Sequence, residues 1–401
     1  MKNLIARLDD RMKQAVILVG VNGLFWLAWA FGCYQTVYLQ SIGFTASQMG
    51  LVNAISSGVG IASVAFWGMV SDKIGSLRRV LIIVVAAASL LYALVPMIPV
   101  NPAWLLMAYI PAVNFFRGSN ATFAENILVR NCNELGLNFG VLRSMGSFLF
   151  TLGSLVIAAL LPAVGIPNTF RITGVMMIPV IVCTIFAREP NAKAAPKGQK
   201  QKLDLSPLLK NKSYLIFLGF TLLFYVAASC EANFIPYFME QSGVSPDTYG
   251  VVLAFRAFLE IPFLLLMVKL RRKFPLRVLV AVSAALMALE CVGFSLFVSN
   301  LPTMLGFCTF FGLGNGLFIG SSLNYVYELA PDNLKATAQA FYASVSSVAG
   351  ILGNILGGLT FDAVGAKPFY LGVGVIYLVA VGVFVLSFLP KRKRPAQAAE
   401  S

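Results

Sequence analysis

The stretch Gly68-Met69-Val70-Ser71-Asp72-Lys73-Ile74-Gly75-Ser76-Leu77-Arg78-Arg79 separates two long apolar runs, 47–70 and 79–98. Five of its twelve residues are charged or glycine between Asp72 and Arg79, so the chain must leave an apolar environment here and turn back into it. Gly75 permits a tight turn, and Asp72 is placed to pair with a nearby Arg or to accept from a helix N-terminus. The runs on either side are about the 20 residues that a helix needs to cross a bilayer.

Counting outward from this loop gives twelve such spans, near 14–40, 47–70, 79–98, 103–131, 138–161, 167–187, 213–240, 247–269, 277–298, 301–327, 335–360 and 367–389. The composition agrees: of 401 residues, 58% are hydrophobic and 11% charged, with a mean hydropathy of +0.82. Soluble domains carry roughly 25% charge, which excludes a soluble enzyme. The expected fold class is an all-α membrane protein. No His is present, so imidazole metal sites, Ser-His and Cys-His catalysis and His-based pH sensing are excluded. Cys33, Cys132, Cys183, Cys230, Cys291 and Cys308 form no Cys-x-x-Cys pair, and neither a disulfide framework nor a redox motif is indicated. The first span lacks a short apolar core ending in a cleavage site and reads as a retained helix.

A net charge of +14 raises the question of nucleic acid, and its distribution answers it. Of the 30 Lys and Arg, 25 fall in the two ends and in alternate junctions between spans, among them Lys73, Arg78, Arg79, Arg130, Lys335 and the runs 188–212, 269–277 and 391–394. The opposite junctions are nearly bare, with Lys367 the exception. This is the positive-inside pattern, which expects both termini in the cytoplasm and no nucleic-acid partner. The polar stretch 188–212, with six Lys, Pro190 and Pro196, divides the spans six and six. The expected organisation is therefore an N-terminal six-helix half (1–187), a cytoplasmic linker (188–212), a C-terminal six-helix half (213–390) and a basic tail (391–401). Ser206-Pro207 is a helix-start signal within the linker.

The opening stretch fits Gly-x-x-x-Asp-(Arg/Lys)-x-Gly-x-(x)-Arg-(Arg/Lys), and so resembles the signature loop of the major facilitator superfamily. The equivalent stretch of the second half, Lys269-Leu-Arg-Arg-Lys273-Phe-Pro-Leu-Arg277, keeps the basic residues and lacks the Asp. Two further stretches, Phe139-Gly140-Val-Leu-Arg143-Ser-Met-Gly146-Ser147 and Leu334-Lys335-Ala336-Thr337-Ala338-Gln339-Ala340-Phe341, resemble the lactose permease and phenylpropionate permease branch. The resemblance covers about residues 14–390. It implies two six-helix pseudo-repeats around a midplane site, a monomer, and a conformational latch formed by Gly68, Asp72, Lys73, Gly75, Arg78 and Arg79. It also implies that Glu125 in the fourth span faces Arg143 in the fifth across a cavity, with Phe150 where lactose permease stacks a Trp on sugar. Asn315 stands where that permease keeps its proton-coupling Glu.

Seven charged residues lie well inside spans: Arg117, Glu125, Arg143, Glu231, Arg256, Glu260 and Glu290. Unpaired at a helix centre each costs roughly 2.5–3.5 kcal/mol, about 20 in all. They must pair, face water or titrate. At about 100° per residue, Asn114, Arg117 and Glu125 fall within about 80° on one helix face, and Arg143, Ser147, Phe150 and Ser154 within about 60° on another. An acid, an Arg, hydroxyls and an aromatic plane suit a solute with hydroxyl groups and an apolar ring face. The alternative is a permanent Glu125–Arg143 pair that only joins two helices. Arg256 and Glu260, four apart, read either as an intrahelical pair or as an anion holder beside a titrating acid. Glu231, Glu260 and Glu290 are equivalent candidates for carrying a proton, since a carboxyl removed from water can exchange one at working pH. Asn315 is a neutral solute contact or an interhelical hydrogen bond. Gly353-x-x-x-Gly357 and Gly312-x-Gly314-x-Gly316 mark close helix packing.

The expected function is secondary active transport by alternating access: proton-coupled uptake of a sugar, oligosaccharide or nucleoside-like solute through a bacterial inner membrane. Substrate-binding candidates are Glu125, Arg143, Ser147, Phe150, Arg117 and Asn315, and no cofactor or metal is expected. Arg117 and Arg256 leave an organic-anion or aromatic-acid symporter as an alternative. Drug export is disfavoured, because the fifth span reads Gly146-Ser-Phe-Leu-Phe-Thr-Leu-Gly153 rather than the Gly-x-x-x-Gly-Pro-x-x-Gly-Gly of the antiporters. A non-transporting receptor or scaffold is the alternative from another class, and an enzyme has no nucleophile–base constellation to rest on.

Overall fold

The computed structural model describes residues 2–189 and 205–388, and among the described residues there is no strand. Twelve helical passages follow one another: α1 (Asp10–Ser41), α2 (Ala46–Ile74), α3 (Leu77–Ala93), α4 (Trp104–Arg117, resuming as Asn120–Leu135), α5 (Phe139–Val164), α6 (Ile166–Phe186), α7 (Lys212–Asn233), α8 (Tyr249–Lys273), α9 (Leu276–Phe297), α10 (Leu301–Leu329), α11 (Lys335–Val364) and α12 (Ala366–Leu386). Among the described residues, ten helices are long and apolar enough to cross a membrane by length and composition alone. The other two passages are α4 and α8. Large apolar side chains such as Leu90, Val175, Phe297 and Leu386 point outward, as a hydrocarbon solvent requires.

Local chemistry sets the boundaries. Thr45 caps α2 in a reciprocal box with Gln48, Ser76 caps α3 at Arg79 N, and Asn138, Asn211 and Asn300 cap α5, α7 and α10. Each supplies an acceptor to N–H groups that the helix leaves unpaired. The α2–α3 loop turns at Gly75 with φ of 68°, the left-handed conformation that glycine adopts without steric cost. The fourth span, expected as one helix, is broken at Gly118. There the Gly118 and Gly60 backbones touch, and Asn114 donates to Ser56 O. The Ser206 signal does open a short helix, Ser206–Leu209, with Ser206 in its first turn and Leu205 at the N-cap position. The rest of the expected linker, 190–204, and the basic tail lie outside the described residues.

The first six helices pack among themselves, as do the last six. The two sets meet along α2 with α11 and α5 with α8. All hydrogen bonds between the sets, among the described residues, lie at the end of the bundle away from the chain termini. Asp362 accepts from Ala46 N (3.1 Å) and Ser47 N (2.8 Å), Tyr237 Oη donates to Phe44 O (2.8 Å), Gly250 N donates to Tyr34 Oη (2.9 Å), and Gln40 donates to Glu240. The two sets are thus clasped at the end away from the termini.

Candidate solute-binding site

Where α5 meets α8, Trp26, Arg143, Ser147, Phe150, Ala257 and Glu260 line a cavity of about 210 Å³. The α5 face predicted from the helical period supplies three of these. Arg143 pairs with Glu125 through Nε at 3.2 Å, and its guanidinium lies 4.9 Å over the Trp26 ring. Phe150 meets the same indole edge-on. Glu260 enters from the other six-helix set, and Asn315 Nδ2 donates to it at 2.9 Å. That bond depends on the glycine run of α10: a Cβ at Gly316 would lie 2.7 Å from Glu260 O, and one at Gly312 2.9 Å from Arg256 O. Asn315 is therefore an interhelical partner of Glu260. Sequence reading missed Trp26, whose only signal is its place three residues before Trp29 in an apolar helix.

Arg117 is not in that cavity. It lines a second one, also about 210 Å³, with Asn53, Ser56, Ser57, Asn114 and, from the other set, Asn233 and Asn354. Its guanidinium stands 4.1 Å over Trp29 and 4.5 Å over Tyr92.

Arg256 and Glu260 are not an intrahelical pair. Arg256 points away from Glu260, into a sealed cluster where Nη2 donates to Glu231 at 2.7 Å and also to Glu290. The three side chains are 0–5% exposed. Tyr377 donates to Glu231 at 3.2 Å, Tyr370 donates to its carbonyl, and Phe311 stacks at 4.0 Å on the guanidinium. Glu231 and Glu290 thus serve Arg256 and are fully buried, whereas Glu260 lines the cavity beside Arg143.

Asp72 makes neither of the contacts expected of it; it is exposed, with no bonded partner among the described residues. The acid at the α3 N-terminus is Glu189, which accepts from Ser76 Oγ, Leu77 N (2.9 Å) and Arg78 N (3.3 Å). Arg78 pairs with it at 3.6 Å and donates to the carbonyls of Ile185 and Ala187.

Twelve passages in two sets, clasped at one end around polar cavities, define a membrane transporter rather than an enzyme. The chain belongs to the MFS_1-like family, whose model matches residues 24–372. The maltose permease of Geobacillus stearothermophilus is 23% identical over 393 residues, covering 93% of this chain and 94% of the permease. The uncharacterized transporter YwbF of Bacillus subtilis is 23% identical over 84% of each chain. Among solved structures, the nucleoside transporter NupG superposes with a TM-score of 0.76 at 17% identity, covering 95% of this chain and all of that one. A bacterial homologue of the lysosomal transporter Spinster, inward-facing and unoccupied, gives 0.69 at 14% identity, covering 96% and 99%.

Proposed function

We propose that the protein takes up a hydroxyl-bearing solute with an apolar ring face, a sugar, oligosaccharide or nucleoside, driven by protons across a bacterial cytoplasmic membrane. The single observation that carries this is the cavity shared by Arg143 and Glu260, because it joins one charged side chain from each six-helix half. A solute bridging them binds both halves at once, and rocking about that point alternates its access. Trp26 and Phe150 supply apolar faces for a ring, and Arg143 and Ser147 supply donors for hydroxyls. A maltose permease among the relatives and a nucleoside transporter among the structural neighbours accord with this solute class.

Glu260 is the proton carrier in this reading. It reaches the solute cavity, whereas Glu231 and Glu290 are sealed around Arg256. The basic junctions put both termini in the cytoplasm, so the clasped end faces outward. The test is uptake into proteoliposomes under an imposed pH gradient, with maltose and uridine as solutes. Accumulation lost in Arg143→Gln and in Glu260→Gln supports the reading. Unchanged accumulation in Arg143→Gln removes it.

A further inference from the structure

Arg117 is a cation inside the membrane bundle without an acidic partner. No ion pair or hydrogen bond reaches its guanidinium among the described residues, and no Asp or Glu lines its cavity. All five N–H donors of the guanidinium are thus unspent. The fold nevertheless makes room for it: a Cβ on Gly32 would lie 2.9 Å from Nη2, and Trp29 and Tyr92 hold it by their ring faces. Polar groups converge on the same space. The Ser56 hydroxyl is buried without a partner. Asn354 spends its Oδ1 on Asn233 at 2.8 Å, which leaves its amide N–H groups for the cavity. Asn114 spends its Nδ2 on Ser56 O and keeps its oxygen. Arg256, which is buried where Arg117 is only half-buried, has two carboxylates on one nitrogen. Arg117 has none, in a cavity large enough for part of a small solute.

We infer that the cavity around Arg117 is a carboxylate-binding subsite, so that the transported solute is an acidic one, such as a sugar acid. This rests on the solute reading of the Arg143 cavity and narrows it. One guanidinium neutralises a monoanion, and with no second cation in the lining a dianionic phosphate would be left half-compensated, which selects the carboxylate. The two cavities meet α1 at Trp26 and Trp29, whose rings are 6.2 Å apart. A solute engaging both would present its carboxylate to Arg117 and its neutral ring to Trp26.

The test is ligand-induced thermal stabilisation of the purified full chain, read as apparent Kd, with matched neutral and acidic probes: glucose beside glucuronate, and benzyl alcohol beside benzoate. The acidic member of at least one pair should bind about tenfold tighter, the effect of one charge-assisted bidentate contact. Arg117→Gln should abolish that preference, bringing the acidic probe to the affinity of its neutral counterpart, and Arg117→Lys should restore part of it. Equal binding of both members by the wild type, no response to any carboxylate, or a preference that survives Arg117→Gln would each overturn the subsite. Neutral probes that bind through Arg143 while no carboxylate does better would leave the wider solute reading standing. A carboxylate response that needs Arg117 but not Arg143 would keep the subsite and remove that reading.

Discussion

Glu231 on α7 and Glu290 on α9 take their hydrogen bonds from the same nitrogen, Nη2 of Arg256 on α8. Three helices of the C-terminal half are pinned at one atom. The cluster holds two acids against one base, and Oε2 of Glu290 has no hydrogen-bond partner. Cys291 beside Glu290 and Cys308 on α10 complete its polar surroundings, with Tyr370 and Tyr377 on α12.

Removing the base should therefore be far worse than removing an acid. Arg256→Met leaves two buried carboxyls facing each other and should cost about 3–5 kcal/mol, read as loss of monodisperse protein in size-exclusion chromatography. Glu290→Gln leaves a one-to-one pair and should lower stability by less than about 1.5 kcal/mol, with proton-driven accumulation retained. Equal damage from both variants would contradict this charge balance.

Glu260 predicts a different phenotype. Gln at this position can still accept from Asn315 and still line the cavity, but cannot release a proton. Glu260→Gln, whose amide can still hydrogen-bond the solute, should keep solute exchange between equal pools within about twofold and lose accumulation against a gradient, the separation expected where the proton and not the hydrogen bond is what is removed. Asn315→Leu, which only unpairs the acid, should leave accumulation present and shift its pH dependence. Accumulation by Glu260→Gln at the wild-type level would place the proton elsewhere.

The span pattern was legible because hydrocarbon imposes it: each backbone must satisfy itself as a helix of about 20 apolar residues, while the breaks at Cys33–Tyr34, Gly118 and Phe234 escaped. The Arg143, Ser147 and Phe150 face was legible because residues on one helix keep their spacing. Arg256 was not, since its partners lie 25 and 34 residues away on other helices, and only the close approach of α8 to Gly312 and Gly316 decides its neighbours. Trp26 was hidden for the same reason. Periodicity says that some ring of Phe25, Trp26 and Trp29 faces inward, and packing says which.

Glu189 carries the next prediction. It follows the last turn of α6 and returns to the α3 N-terminus, accepting two backbone N–H groups and a hydroxyl. Glu189→Ala should cost about 1–2 kcal/mol, the range of a lost N-terminal acceptor, and the deficit should shrink in the Gln variant. Asp72→Asn should leave the melting temperature unchanged, because Asp72 is exposed and has no bonded partner among the described residues. A melting loss in Asp72→Asn as large as in Glu189→Ala would show that the loop is anchored through Asp72 after all.

The clasped end makes the last prediction. The α2 and α11 backbones touch there: a Cβ on Gly50 would lie 2.3 Å from Asn354 O, and one on Gly358 2.6 Å from Ala46 O. A backbone carbonyl cannot swing aside as a side chain does, so any larger residue holds the two halves apart. Gly50→Val should therefore disfavour the clasped state and slow transport by about tenfold or more, since alternating access needs both states to be reached. Cysteines at Gln40 and Glu240, which are hydrogen-bonded across the same seam, give a direct readout with the single-cysteine chains as controls. A short bis-maleimide, which alkylates both thiols, should couple them efficiently in the otherwise wild-type chain and several-fold less in Gly50→Val. Undiminished coupling together with normal uptake would mean that the transporter works without ever bringing these two backbones into contact.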